Sequence, residues 1–361
     1  MLWMKRLGIM QTPMIVHEVP IFMFIPKSMP LRRIRKRSET FREWGITSLM
    51  IEVEGRRLPE ELTGLDGSLE IVGKTNDESI FPNLLDPPLT GIAIQPEKVE
   101  SLLEHRNRIL TRDMGVFLTH EERGMENADA LIERFSNALV QLRDTGLTKL
   151  SCCLFHEDIT RLFALCRALA GRCGVCSVVG LTPRRDTQKM LYETALQVGC
   201  LFVEDLAEAV LVPAPAGFRG AKRLTEITRE TLGILGRYPR AFSLISCPTC
   251  GRCQMDIPRM AGRVHRLLRT IESRYRSEGV HLERAGGITV AVMGCNVNGP
   301  GEARGADIGI AGGKRGTGTI FREGEPVATL SGNKLFDEFE HLLQELVETR
   351  LKSKAASVPA R

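Results

Sequence analysis

The chain offers no stretch long and apolar enough to cross a bilayer; its early run Val19–Ile25 is far too short. Its first residues are not expected to be a secretory leader, because Lys5 and Arg6 fall where an apolar core would be needed. It also lacks a strong charge of either sign. A net charge of +5 over 361 residues suits an anionic small molecule or an acidic partner and is too small to indicate nucleic acid. The densest basic run, residues 27–37, carries six cations in eleven residues but no interleaved aromatic, so it is expected to be a solvated helix rather than a nucleic-acid patch. With 43% hydrophobic and 26% charged residues, the composition excludes wholesale disorder. These absences point to a cytoplasmic protein with no membrane and no nucleic-acid partner. In that reducing compartment ten cysteines imply metal binding, redox chemistry or burial rather than disulfides.

Between residues 14 and 238 short apolar runs alternate with helical periodicity. Strands are expected at Pro20–Ile25, Thr47–Val53, Leu69–Gly73, Gly91–Gln95, Met114–Thr119, Lys149–Phe155, Val175–Thr182 and Ala207–Val212. Helical spacing separates them, as in Leu131, Phe135, Leu139 and Leu142, with Gly146 and Gly171 placed as C-caps. Eight β-then-α units predict a (β/α)₈ TIM-type barrel over residues 1–239, with an open doubly wound sheet as the alternative. After Tyr238–Pro239 the pattern changes to a small α+β module, residues 240–352. It consists of a strand Ala241–Ser246, a helix near Pro258–Ser277, a strand Ile288–Met293, a Gly-rich stretch and a last helix. Residues 353–361 read as a tail.

The cysteines of this module carry the chemistry. Cys247-Pro-Thr-Cys250-Gly-Arg-Cys253 puts three thiols on one tight turn, and Gly294-Cys295-Asn-Val-Asn-Gly-Pro-Gly301-Glu302 puts a thiol at a strand end with a carboxylate seven residues on. Thiolates at such spacing select zinc or an iron–sulfur cluster. From the cysteines alone, a closed zinc site on Cys247, Cys250, Cys253 and Cys295 remains open.

The stretch Ser246–Gly313, with SCPTCGRC and VAVMGCNVNGPGEARGADIGIAGG, closely resembles the C-terminal domain of the 4-hydroxy-3-methylbut-2-enyl diphosphate synthase family. The resemblance implies an iron–sulfur domain of the ferredoxin/sulfite-reductase-like kind, holding a [4Fe–4S] cluster through Cys247, Cys250, Cys295 and Glu302, with Glu302 also the catalytic ligand whose iron can open to substrate. It decides against zinc. Cys253 lies outside the pattern, either a buried thiol or a spare ligand able to displace Glu302. The implied activity is the two-electron, ring-opening reduction of 2-C-methyl-D-erythritol 2,4-cyclodiphosphate in isoprenoid biosynthesis, or the same chemistry on another phosphorylated alcohol. Flavodoxin or ferredoxin would supply the electrons. The implied assembly is a homodimer in which the cluster domain of one subunit closes over the barrel of the other, or a heterodimer with a complete homologue.

Over the barrel the resemblance thins. Val19–Ile21 and Gly180-Leu-Thr fit the family's order, but the family's acid falls on Pro183 and its lysine on Cys153. Its NPGNIG segment falls on Ile94-Gln-Pro-Glu-Lys-Val, and its RIGVNAG on Asp113-Met-Gly-Val-Phe-Leu-Thr. Cations expected at the C-terminal ends of the strands, where such barrels place their sites, are Lys27, Arg56, Arg57, Lys74, Arg184 and Arg185, with His120 and His156 nearby. Together they predict a positive mouth for a phosphorylated substrate. The lost acid leaves a second reading: a degenerate homologue serving as partner subunit, electron carrier or redox sensor.

Overall fold

A computed structural model describes residues 19–29, 31–54, 62, 69–121, 127–175, 177–182, 186–214, 218–280, 282–295 and 305–357. The chain divides into two compact units, Met1–Tyr238 and Pro239–Arg361.

The first unit is a closed barrel of eight parallel strands in sequence order. They are β1 (Ile21–Ile25), β2 (Ser48–Glu52), β3 (Glu70–Lys74), β4 (Gly91–Ile94), β5 (Gly115–Glu121), β6 (Leu150–Phe155), β7 (Ser177–Gly180) and β8 (Ala207–Pro213). The β1–β8 pairing, with Ile21 against Val210, closes the ring, so the expected TIM-type barrel is present and the open sheet is not. The later strands alternate with long helices α1 (Ala128–Asp144), α2 (Ile159–Cys173), α3 (Thr187–Val203) and α4 (Phe218–Ile234). Side-chain oxygens satisfy the first-turn amides of three of them: Asn127 caps α1, Asp158 caps α2 and Asp186 caps α3.

Two cores result from the alternation of side chains across the strands. The outer core joins the strands to the helices through residues such as Leu49, Ile92, Phe135, Leu162 and Val210. The inner one takes at least one residue from every strand: Phe22, Phe24, Met50, Val72, Ala93, Phe117, Cys153, Phe155, Val178, Ala209 and Leu211. It is a packed interior. Gly180 makes room for the Phe155 ring, whose atoms lie only 2.0–2.5 Å from where a Cβ on Gly180 would sit.

Two local expectations need correction. The C-cap of α2 is Gly174, in the left-handed conformation, and Gly171 lies inside the helix. The helix continues because Cys173, one turn beyond Leu169, is still buried. Gly146 does end α1, at φ +87°.

The second unit is a five-stranded sheet in the order β13-β12-β11-β10-β9. Its strands are β9 (Phe242–Ser246), β10 (Ile288–Met293), β11 (Ile308–Gly312), β12 (Thr317–Arg322) and β13 (Glu325–Ser331). The first three are parallel and the last two antiparallel. Helices α5 (Ile257–Ser277) and α6 (Asn333–Ser357) share one core with Val290, Val292, Ile308, Ile310 and Ile320. The Arg263 guanidinium lies 3.9 Å from the Phe336 ring centroid, tying α5 to α6. Residues 353–357, expected in the tail, are helical, because Leu351 still packs on this core and the following Lys-Ala-Ala favours helix.

Candidate metal-binding loop and barrel mouth

Strand register brings the cysteines of the second unit to a common edge. Ser246 pairs with Val292, and the Cys247 amide extends the ladder by donating to the Val292 carbonyl at 3.2 Å. Cys247 and Cys295 therefore leave the C-terminal ends of neighbouring parallel strands, Cys295 just past Met293 and Gly294. Between Pro248 and Cys250 the chain turns through Thr249 at φ +66°. This region is unfavourable for a β-branched residue and costs on the order of 1–3 kcal/mol, strain of a kind that collects at functional loops. The Cys253 amide then donates to the Cys250 carbonyl at 3.0 Å, closing a turn. The Gln254 amide donates to the Gly294 carbonyl at 2.7 Å, pinning the loop to the end of β10. Asp256, the sole carboxylate of residues 247–256, accepts from the Arg259 amide and starts α5.

Gly294 is the centre of this arrangement. Its amide donates to Cys247 Sγ at 3.2 Å. A Cβ there would lie 2.6 Å from Cys253 Sγ and 3.2 Å from Cys247 Sγ, so any side chain would strike both sulfurs. Behind it, a Cβ on Gly312 would meet the Gly294 carbonyl at 2.6 Å. Glycine is needed at both positions for close approach, not for a turn. Cys253 donates its thiol proton to the Met255 carbonyl at 2.9 Å.

Of the four expected ligands, Cys247 is half-buried, Cys250 is exposed and Cys295 is buried at its strand end; Glu302 lies outside the described residues. Among the described residues no three His, Cys, Asp or Glu side chains converge closely enough to hold a metal. Cys247 and Cys253, the latter outside the sequence motif, both approach Gly294. The donor set nonetheless fits a soft-metal centre: the loop's uncommitted donors are sulfurs, its carboxylate is occupied in the cap, and a backbone amide already points at one sulfur.

Of the six cations expected at the barrel mouth, Lys27 and Lys74 fall among the described residues. Lys27, just past β1, is ion-paired with Glu54, and its own amide donates to Glu52 at 3.2 Å. The hydrogen bond and charge of Glu54 raise the Lys27 pKa. Lys74, the last residue of β3, is buried with its ammonium 4.8 Å from the Phe24 ring centroid. Arg56, Arg57, Arg184 and Arg185, and Pro183 with them, lie outside the described residues. His120 does not line the mouth: it packs edge-on against Phe135 of α1, on the helix side of β5. The strand's period of two carried that signal, since Phe117 points inward and a residue three places on cannot. His156 accepts from the Asp158 amide at 2.8 Å through Nδ1, bracing the start of α2. Cys153, in place of the family's lysine, is fully buried inside the barrel.

A closed barrel followed by an α/β unit with cysteines at parallel strand ends defines a two-unit protein with a thiol-bearing loop on its second unit. Residues 243–345 match the family model described as the GcpE protein C-terminal domain. The chain is 29% identical over 286 residues to 4-hydroxy-3-methylbut-2-en-1-yl diphosphate synthase (flavodoxin) of Geobacter sulfurreducens, covering 74% of this chain and 76% of that protein. It is 35% identical over 223 residues to the enzyme of the same name from Maridesulfovibrio salexigens, covering 60% of this chain but only 54% of that one. The resemblance to this synthase family therefore holds, most firmly over the second unit. Among solved structures, Yersinia pestis dihydropteroate synthase is similar at 14% identity and a TM-score of 0.43, over 60% of this chain and 93% of that one, a likeness too slight to carry an inference. Among the described residues no helix is long and apolar enough to cross a membrane.

Proposed function

We propose that this chain is an iron–sulfur reductase of the 4-hydroxy-3-methylbut-2-en-1-yl diphosphate synthase type, with a [4Fe–4S] cluster on Cys247, Cys250, Cys295 and Glu302. The observation that carries the reading is the delivery of Cys247 and Cys295 to adjacent parallel strand ends around a glycine that cannot bear a side chain, within the segment that matches the GcpE C-terminal domain. Such a cluster would supply single electrons and an iron able to take a substrate oxygen. Thiolates from Cys247, Cys250 and Cys295 would hold the cluster firmly, while the Glu302 carboxylate would be the weaker, exchangeable ligand. The Gly294 amide, which donates to Cys247 Sγ, would stabilise negative charge on that thiolate.

In the barrel, Lys27, Arg56, Arg57, Lys74, Arg184 and Arg185 are proposed to receive the phosphates at the C-terminal ends of the strands. The substrate is 2-C-methyl-D-erythritol 2,4-cyclodiphosphate. Ring opening and loss of its hydroxyl as water consume two electrons and protons, the electrons delivered one at a time by reduced flavodoxin or ferredoxin. Pro183 and Cys153 cannot handle protons as an acid and a lysine would, so turnover is expected to be slow, general acid–base help being worth ~10²–10⁴ in rate. Anaerobic incubation of the purified protein with the cyclic diphosphate and reduced flavodoxin should yield the linear diphosphate. Binding without turnover under a strong one-electron donor would overturn the enzymatic reading and leave a partner or carrier role.

A further inference from the structure

Helix α5 holds six arginines against one glutamate, so its net charge of +5 equals that of the whole chain. The rest of the chain is balanced, and the excess sits on one helix. The apolar stripe of α5, Ile257, Val264, Leu268 and Ile271, is buried in the core of the second unit. The opposite face carries the exposed Arg259, Arg266 and Arg269, with Thr270, Ser273 and Ser277 among and beyond them, and no carboxylate. The single acid, Glu272, turns aside and accepts from Arg276 at 2.8 Å. Among the described residues no carboxylate pairs with Arg259, Arg266 or Arg269. Arg263 and Arg274 border this face and rest on rings instead of acids, 3.9 Å from the Phe336 centroid and 4.9 Å from the Tyr275 centroid. The stripe starts at the thiol-bearing loop: Arg252 is exposed inside that loop, and Asp256 caps the helix just before Arg259. From Arg259 to Arg274 it runs about 22 Å along the helix axis.

We propose that this arginine face is the docking surface for flavodoxin as an acidic one-electron carrier, which lays carboxylates along Arg259, Arg266 and Arg269 and brings its redox group over the loop at the exposed Cys250. The proposal rests on the iron–sulfur reading above and names the surface through which electrons enter. Each docking event oxidises the reduced carrier by one electron and reduces the centre by one, with no bond made or broken. Unpaired arginines on one face repel one another, and an acidic partner relieves that repulsion while steering the encounter. An anionic membrane fits less well, because the apolar side of α5 that would insert is already used in the core. Nucleic acid also fits less well, because Tyr275, the helix's one aromatic, packs on that core and leaves no ring among the arginines for bases to stack on.

Calorimetric titration of the anaerobically purified full chain with oxidised flavodoxin, at low and at high salt, tests this. The wild type should bind, and more weakly as salt rises. The triple variant Arg259→Glu/Arg266→Glu/Arg269→Glu should bind at least about tenfold more weakly and lose most of the salt dependence, while dithionite reduces its centre as it does the wild type's. Each single reversal should cost about two- to fivefold, which decides the case should the triple variant fold poorly. Arg32→Glu/Arg33→Glu/Arg106→Glu makes the same change in net charge at exposed positions of the first unit and should stay within about twofold of the wild type. Unchanged affinity in the α5 variants, or an equal loss in both triple variants, would overturn the proposal. So would duplex DNA that binds the wild type more tightly than flavodoxin does and is lost in the α5 variant. Binding is read without the cluster, so a chain holding no iron would overturn the iron–sulfur reading, while the comparison of variants would still decide the surface.

Discussion

Gly294→Ala perturbs the site with a single methyl group. Its Cβ would arrive 2.6 Å from Cys253 Sγ and 3.2 Å from Cys247 Sγ, against an ordinary carbon–sulfur contact of more than 3.4 Å. Cys253 can retreat by rotating one torsion, but that breaks its bond to the Met255 carbonyl, worth about 0.5–1.5 kcal/mol. Cys247 cannot retreat as easily, because its backbone is held in the ladder by the Val292 carbonyl. Overpacking of this sort typically costs about 1–3 kcal/mol, and here it falls on Cys247 Sγ, an atom proposed to bind iron. Gly251→Ala, two residues before Cys253, is the control: nothing lies within 4 Å of its notional Cβ. Iron per chain after anaerobic purification, together with thermal melting of the same samples, reads out both effects. Gly294→Ala should lose most of its iron and melt earlier, whereas Gly251→Ala should match the wild type. Equal iron and equal melting in all three proteins would refute the packing argument.

Glu302→Ala should retain its cluster and lose turnover; loss of the cluster with Glu302→Ala, measured as iron and sulfide, would make the carboxylate a structural ligand instead. Gly180→Ala drives a methyl group into the Phe155 ring and should destabilise the barrel by about 1–3 kcal/mol or more, with Phe155→Leu in the same chain restoring part of the loss in a denaturant titration. Glu208, bonded to Ser151 near the barrel floor, has its pKa raised chiefly by burial, with the Ser151 hydroxyl opposing. Because the folded value lies above the unfolded one, near 4.3, the stability from the neutral acid is full below the unfolded pKa and lost as pH rises through the folded one. Glu208→Gln should therefore melt like the wild type at pH 4 and above it at pH 8, and a pH-independent difference would count against this.

The strands of the barrel were legible because each is a short apolar run bounded by turn residues, and only their ends differ by a residue or two. Helix ends were less so: Gly171 and Gly174 both look like caps, and the burial of Cys173 decides between them. The cysteine motif was legible as a tight thiol-bearing turn, but the approach of Cys253 and Cys247 to Gly294 was not. It depends on Thr249 adopting a left-handed conformation that nothing in its side chain advertises. The pairing of Lys27 was not legible, because Glu52 and Glu54 lie far from it in sequence and only strand register brings them beside it. His120 was misplaced by ignoring the inward–outward alternation along β5.

The metal content of the anaerobically purified chain bears most directly on the central claim. About four iron and four sulfide per chain, with the broad absorbance near ~400 nm of iron–sulfur centres, are expected, and each should fall away in Cys247→Ser, Cys250→Ser and Cys295→Ser. A colourless protein holding one zinc on the same cysteines would contradict it.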